Sequence, residues 1–201
     1  MELRDTIRRR RMVRSFSDRP LDPDLVVALL ADSLRSPSAG NARGTSWVWM
    51  AGPEETAGYW ERATSAEWRA RSSRWPGMSR APVVALSLAR PDTYVRRYQD
   101  PDKGGSALGG GPEFWPVPYW FGDAAFATMA VLLGAVDLGW GACFLGNFRN
   151  EDAVLAGLGV PDGWRLFGTV LLGHPDGGDH PSTSVTRPSP PVTERIRRPH
   201  W

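Results

Sequence analysis

The sequence predicts an α+β fold built on one central helix, and three observations carry that expectation. The first is the run from Asp123 to Gly146, DAAFATMAVLLGAVDLGWGACFLG, in which no charge stands between Asp123 and Asp137. Ala, Met and Leu favour helix, and a helix apolar on all sides is expected to be buried on all sides. The second is a pair of short apolar stretches, Trp47–Ala51 and Ala81–Ala89, punctuated by Gly52-Pro53 in one case and by Pro82 and Pro91 in the other. Both read as strands among segments of helical periodicity. The third is that no repeat or shift in composition divides the 201 residues, so one domain over 1–201 is expected.

The elements follow in order. Glu2 to Arg11 reads as a helix, followed by an extended MVRSF. Asp22 is placed to cap a second helix with Pro23 at its first position. Leu25, Val26, Leu29, Leu30 and Leu34 recur there at helical spacing. The helix stops before Ser36-Pro37-Ser38-Ala39-Gly40-Asn41, a run of turn formers. Glu54 to Arg74 reads as helix. Pro91 to Tyr119 is the least regular stretch, and 91–120 is expected to be a flexible aromatic segment. In the central helix Asp123 suits an N-cap and Gly139 a C-terminal stop. Gly134 costs about 1 kcal/mol against Ala inside a helix, which a close backbone approach would justify. Glu151 to Leu158 is a short helix and Gly168 to Gly173 a strand. The tail 174–201, rich in Pro, Ser and Arg, is expected to extend across a surface.

Composition excludes several classes. The charge-free run is shorter than the roughly 20 apolar residues that cross a bilayer, so no membrane partner is expected. Nothing near Met1 has the apolar core of a signal peptide. One cysteine, Cys143, rules out an internal disulfide framework, and three histidines argue against a His-rich metal site. A reducing cytoplasm is the default location. The net charge of +2 is small, with the excess concentrated in Arg4, Arg8, Arg9, Arg10, Arg11 and Arg14. Such a run suits a phosphorylated cofactor or a solvated helix end. It could also meet nucleic acid, but no reading module accompanies it and no nucleic-acid partner is expected.

Arg10-Arg11-Met12-Val13-Arg14-Ser15-Phe16, then Pro37-Ser38-Ala39-Gly40-Asn41, resembles the opening of the nitroreductase family. The likeness runs on through Gly139-Trp140-Gly141-Ala142-Cys143-Phe144-Leu145-Gly146-Asn147-Phe148, Leu158-Gly159-Val160-Pro161 and Leu172-Gly173-His174-Pro175, ending near Arg187-Pro188. The resemblance implies an FMN-dependent oxidoreductase, an α/β sandwich with a mostly antiparallel sheet, and an intertwined homodimer. Its reductant would be NADH or NADPH, and its acceptor a small aromatic or quinone-like molecule such as a nitroarene. The same scaffold hosts dehalogenation and dehydrogenation, and flavin binding without nicotinamide-driven turnover, so fold alone does not choose among them.

The resemblance also assigns roles. Arg10 and Arg187, with Arg11 as a weaker candidate, fall where relatives hold the FMN phosphate, and guanidinium groups suit a dianion. Arg14 falls beside the pyrimidine edge, where a cation would stabilise the charge that develops on reduction. Pro37, Ser38, Ala39 and Asn41 match the loop that reaches the partner subunit's flavin. Leu145, Gly146 and Asn147 match a loop beside the ring. Met12 stands where relatives carry a small hydroxyl, so one cofactor hydrogen bond is expected to be missing. No side-chain acid, base or nucleophile is required, because the flavin carries the chemistry. Arg43 replaces a neutral residue near the cofactor. The segment Phe114 to Trp120 has no family counterpart, and substrate choice is expected within Gly104 to Trp120, so Arg43, Trp115, Tyr119 and Trp120 are its candidates, with core or interface packing as the alternative for the aromatics.

Overall fold

A computed structural model describes residues 2–71, 76–147, 149–180 and 182–198. Four strands form one antiparallel sheet: β1 (Thr45–Ala51), β2 (Val83–Ala89), β3 (Gly141–Leu145) and β4 (Arg165–Gly173), in the order β1-β2-β4-β3. Every residue of β2 is buried. Its Val84, Leu86 and Leu88 join one core cluster with Tyr59 and Trp60 of α3 (Gly52–Ala63) and Val154 and Leu155 of α7 (Glu151–Gly157). Val83 and Ala85 join another with Val26, Leu29 and Leu30 of α2 (Pro23–Ser33) and Val131, Leu132 and Ala135 of α6 (Tyr119–Asp137). Helices thus cover both faces of the sheet. That is why VVALSLA reads as one continuous apolar run although its neighbours are antiparallel.

Several expectations are met locally. Asp22 caps α2 by accepting the Asp24 N–H at 2.9 Å, with Pro23 at the first position. A Cβ on Gly134 would lie 2.3 Å from Leu29 Cδ1, so the close approach at this glycine is made by a side chain of α2 and not by the backbone that was expected. Gly139 has φ of 73°, the left-handed stop after the helix.

Others are corrected. The first helix, α1, is Leu3–Arg9 and releases the chain before Arg10. Leu25 and Leu34, counted on the apolar face of α2, are 44% and 48% exposed; the buried stripe is the narrower Val26, Leu29, Leu30. The segment from Glu54 is broken, α3 giving way at Thr64 to α4 (Ala66–Arg71), and the remainder of that expected helix lies outside the described residues. Strand β4 begins at Arg165, three residues before the expected start, and β3 is a strand in a stretch for which no element was expected, its last residue Leu145 falling in the expected loop 145–147. Five residues without alternation carry no strand signature of their own; pairing with β4 makes them one.

The stretch from Pro91 departs furthest. It holds α5 (Pro91–Arg97) and three 3₁₀ turns, Pro101–Lys103, Ala107–Gly110 and Pro112–Phe114. The central helix starts at Tyr119, one turn before Asp123, which is therefore an interior residue and 4% exposed. It is also not buried on every side, since Phe126 and Met129 are 54% and 48% exposed. Its 19 residues make it long and apolar enough to cross a bilayer, unlike the shorter charge-free run. Here it packs against α2 and all four strands.

Candidate functional site

The expected site residues fall into two groups. In the first, the chain leaves α1 and runs extended beside β3. Met12 forms a parallel bridge to Ala142, and the Val13 N–H donates to the Ala142 carbonyl at 2.9 Å. Both segments then run in the same direction, which sets Arg14 near enough to Cys143 for its charge to act on the thiol. Met12 is occupied internally: its Sδ accepts the Phe144 N–H at 3.3 Å. The Arg14 N–H donates to Asp179 Oδ1 at 3.2 Å, and its Nη1 to the Met12 carbonyl at 3.3 Å. The start of the tail is held by Asp176, which accepts from Ser15 Oγ at 2.9 Å and from Arg80 Nη2.

Two donors in this group stand out. Among the described residues, Arg10 Nη1 and Asn147 Nδ2 are buried with no hydrogen-bond partner. Buried polar groups are nearly always satisfied, and leaving one unpaired costs on the order of 1–3 kcal/mol. Leu145, Gly146 and Asn147 line a cavity of about 500 Å³ with Trp60, Trp68 and Met78. The Trp60 and Trp68 rings are stacked, 8° from parallel at 6.3 Å. Met78 follows Gly77, whose carbonyl accepts the Phe16 N–H at 3.3 Å, so this cavity adjoins the end of the extended segment at Phe16, and none of Arg10, Arg11, Met12 and Arg14 lines it.

The second group lies elsewhere on the chain. Pro37, Ser38, Asn41 and Arg43 line another cavity, of about 570 Å³, with Arg35 and Asp123. The two cavities share no lining residue. This loop is conformationally unusual, with φ of 60° at Gly40 and 57° at both Asn41 and Arg43. Ala39 donates its N–H to Asp123 Oδ2 at 2.9 Å, and the Gly40 carbonyl accepts from Arg97 Nε at 2.7 Å. Ser38 Oγ accepts the Arg43 N–H, and Asn41 Oδ1 accepts Arg43 Nε, at 3.0 and 3.1 Å. One chain therefore lines one cavity with Pro37, Ser38, Asn41 and Arg43 and a different one with Leu145, Gly146 and Asn147.

The remaining candidates divide by burial. Arg11 and Arg187 are exposed, Arg187 just after a 3₁₀ turn at Thr183–Thr186. Trp115 and Trp120, expected to face a substrate, are 6% and 7% exposed and line neither cavity. Trp115 donates Nε1 to the Leu108 carbonyl at 2.9 Å and meets Tyr94 and Tyr98 edge-on. Both tryptophans fill a third core cluster with Tyr94, Ala89 and Ala124. The unrecognised helix α5 supplies the tyrosines they pack on. Tyr119 alone of the three is open, at 47%.

Cys143 is fully buried, and burial pushes its thiol up to about 11 despite the opposing charge of Arg14. This agrees with a structural thiol. Among the described residues no cluster of His, Cys, Asp and Glu suits a metal ion. Residue-level reading missed Asp123, Tyr94 and Arg97, which hold the 38–43 loop, and Trp60 and Trp68, which line the first cavity. A signal existed for Asp123: it is the one acid at the head of an otherwise apolar helix, and a cap was the simpler reading.

The family model described as Nitroreductase family matches residues 7–174. A protein of Archaeoglobus fulgidus named "Putative NADH dehydrogenase/NAD(P)H nitroreductase" is 26% identical over 195 residues, spanning 96% of this chain and 94% of its own. Among solved structures, the nitroreductase CinD of Lactococcus lactis in complex with nicotinic acid superposes with a TM-score of 0.77 at 15% identity, over 99% of this chain and all of its own. A nitroreductase family protein of Clostridium novyi NT gives 0.66 at 20% identity, over 90% and 89%. These structural likenesses show the sandwich fold, and the match over residues 7–174 shows the kinship: the chain belongs to the nitroreductase family of oxidoreductases.

Proposed function

We propose that this chain is an FMN-dependent oxidoreductase, acting as a single domain within a cytoplasmic homodimer. It would take two electrons from NADH or NADPH and pass them to an electron-poor aromatic or quinone acceptor. The observation that carries the reading is the pair of buried, unpartnered donors, Arg10 Nη1 and Asn147 Nδ2, which flank from its two ends the parallel run of the Met12 segment beside β3. They fit FMN, whose phosphate accepts from a guanidinium and whose ring edge accepts from an amide. When bound, FMN supplies the two-electron chemistry.

The chain's own residues bind and orient. Arg10 holds the phosphate, with Arg187 and Arg11 as further cations. Arg14 places positive charge beside the pyrimidine edge. Leu145, Gly146 and Asn147 flank the ring. Met12, a thioether, has no donor to contribute, and its sulfur already accepts the Phe144 N–H. Pro37, Ser38, Ala39 and Asn41 complete the site of the other subunit, which explains why they lie in a separate cavity within one chain. The open stripe of α6 at Phe126 and Met129 supports the dimer, as do Val185, Val192 and Ile196 of the tail, 73%, 67% and 74% exposed. Arg43 and Tyr119 remain the residues placed to influence the acceptor.

The names of relatives lend support of a coarser kind. The Archaeoglobus protein's name couples nicotinamide and nitro chemistry, and CinD has been captured with nicotinic acid, chloramphenicol and 4-nitrophenol. The test is direct. The purified protein should be yellow or take up FMN stoichiometrically. Under anaerobic conditions NADH or NADPH should bleach the colour, and a nitroarene or quinone should restore it. A protein that takes up no FMN ends this reading; one that holds FMN but does not bleach is a binding protein without turnover.

A further inference from the structure

The 38–43 loop has an unusual backbone and an unusual amount of structure behind it. Asn41 and Arg43 both have positive φ, which costs a residue with a side chain on the order of 1–3 kcal/mol and persists only where the surroundings impose it. Two charged side chains hold the backbone of the Ala39–Gly40 pair, one at its N–H and one at its carbonyl. Asp123, buried in the first turns of α6, accepts the Ala39 N–H at 2.9 Å and the Tyr94 hydroxyl at 2.7 Å. Arg97, from α5, donates Nε to the Gly40 carbonyl, while its two outer nitrogens are fixed on Asp102 at 2.7 and 2.6 Å. Gly40 itself rests on the Tyr98 ring, where a Cβ would lie 2.8 Å from Cε2.

Of the side chains holding the loop's backbone, Arg97 comes from the segment following β2 and Asp123 from α6. We infer that Asp123 and Arg97 are positioning residues: together they preset the 38–43 loop for the flavin bound across the dimer seam. The segment from Pro91 to Asp102 is their brace. The inference rests on the FMN reading above for its ligand, but not for the clamp itself. A carboxylate and a guanidinium suit this task because each makes charge-assisted bonds to the backbone, which lets the loop's side chains point outward. A preset loop contributes its contacts without an ordering cost at the moment of binding.

Three variants test it. Asp123→Leu removes the one oxygen, Oδ2, that accepts from both Ala39 and Tyr94, Arg97→Met removes the donor to Gly40, and Thr128→Val serves as control. Thr128 is buried in the same helix and bonds Ser87 Oγ and the Ala124 carbonyl, so its loss strains α6 without touching the loop. In the flavin-free protein, amide hydrogen exchange across 38–43 should quicken about tenfold in the first two variants and stay near wild type in the control. FMN should bind about tenfold more weakly to the same two variants, the size expected when a charged hydrogen bond is lost. Unchanged exchange in both clamp variants overturns the clamp, as does an equal increase in the control. Faster exchange with FMN affinity within twofold of wild type overturns the positioning role. If wild type takes up no FMN, the functional reading fails, while the exchange data still decide whether the clamp exists.

Discussion

A guanidinium nitrogen buried without an acceptor is costly to keep, and Arg10 keeps one at the edge of the sheet. Arg10→Ala should weaken FMN binding by about 1.5–3 kcal/mol, the loss expected for a charge-assisted contact. Titration of the apoprotein by flavin fluorescence measures it, and an unaltered affinity would remove Arg10 from the phosphate site. Arg187→Ala should act in the same direction. Arg14 belongs to a different experiment. Its charge favours reduced anionic flavin over oxidised neutral flavin, so Arg14→Gln should lower the midpoint potential of the fully loaded protein. A potential that stays put or rises would contradict that role. Cys143 gives a third check. With the thiol fully buried and pushed up to about 11, almost none of it is thiolate at pH 8. A disulfide reagent should therefore modify the native protein far more slowly than the unfolded chain.

At the scale of elements, the segment 91–120, expected to be flexible, is a scaffold, and of the two readings open for Trp115 and Trp120 the structure takes core packing. Proline at 91 starts a helix and does not end one, and that helix delivers Tyr94, Arg97 and Tyr98 to one side of the 38–43 loop. Trp115 and Trp120 then pack on those tyrosines. Trp115→Ala should cost about 3–5 kcal/mol of stability, as large buried aromatics do when truncated. Tyr119→Ala, at an exposed position, should change stability by about 0.5 kcal/mol or less while raising the Michaelis constant for the acceptor. Thermal melts and steady-state kinetics of the pair separate the two roles. A stable Trp115 variant with altered substrate preference would return Trp115 to substrate choice.

For the whole molecule, the expectation is an obligate homodimer with an interface of about 2,000 Å² or more. One chain leaves the candidate site in two halves and leaves apolar side chains open on α6 and along the tail. Sedimentation at low micromolar concentration should find a dimer, and a folded, flavin-loaded monomer would refute it.

What could be read from sequence alone was local or carried by family motifs. Asp22-Pro23 announces a helix start because capping chemistry involves only adjacent residues. Gly134 and the apolar run around it announce a buried helix with a close neighbour, since a glycine there is otherwise unfavourable. The Arg10 to Arg14 cluster and the Pro37 to Asn41 loop were legible because their spacing matches a known family. Tertiary structure decided whatever depends on a partner far along the chain. Strand β3 exists because β4 pairs with it, and Asp123 is a loop anchor, not a cap, because Ala39 and Tyr94 arrive from 84 and 29 residues away. The aromatic segment turned inward because its rings found Tyr94 and Tyr98 to pack on. A side chain's burial depends on what meets it, and no window of neighbouring residues contains that information.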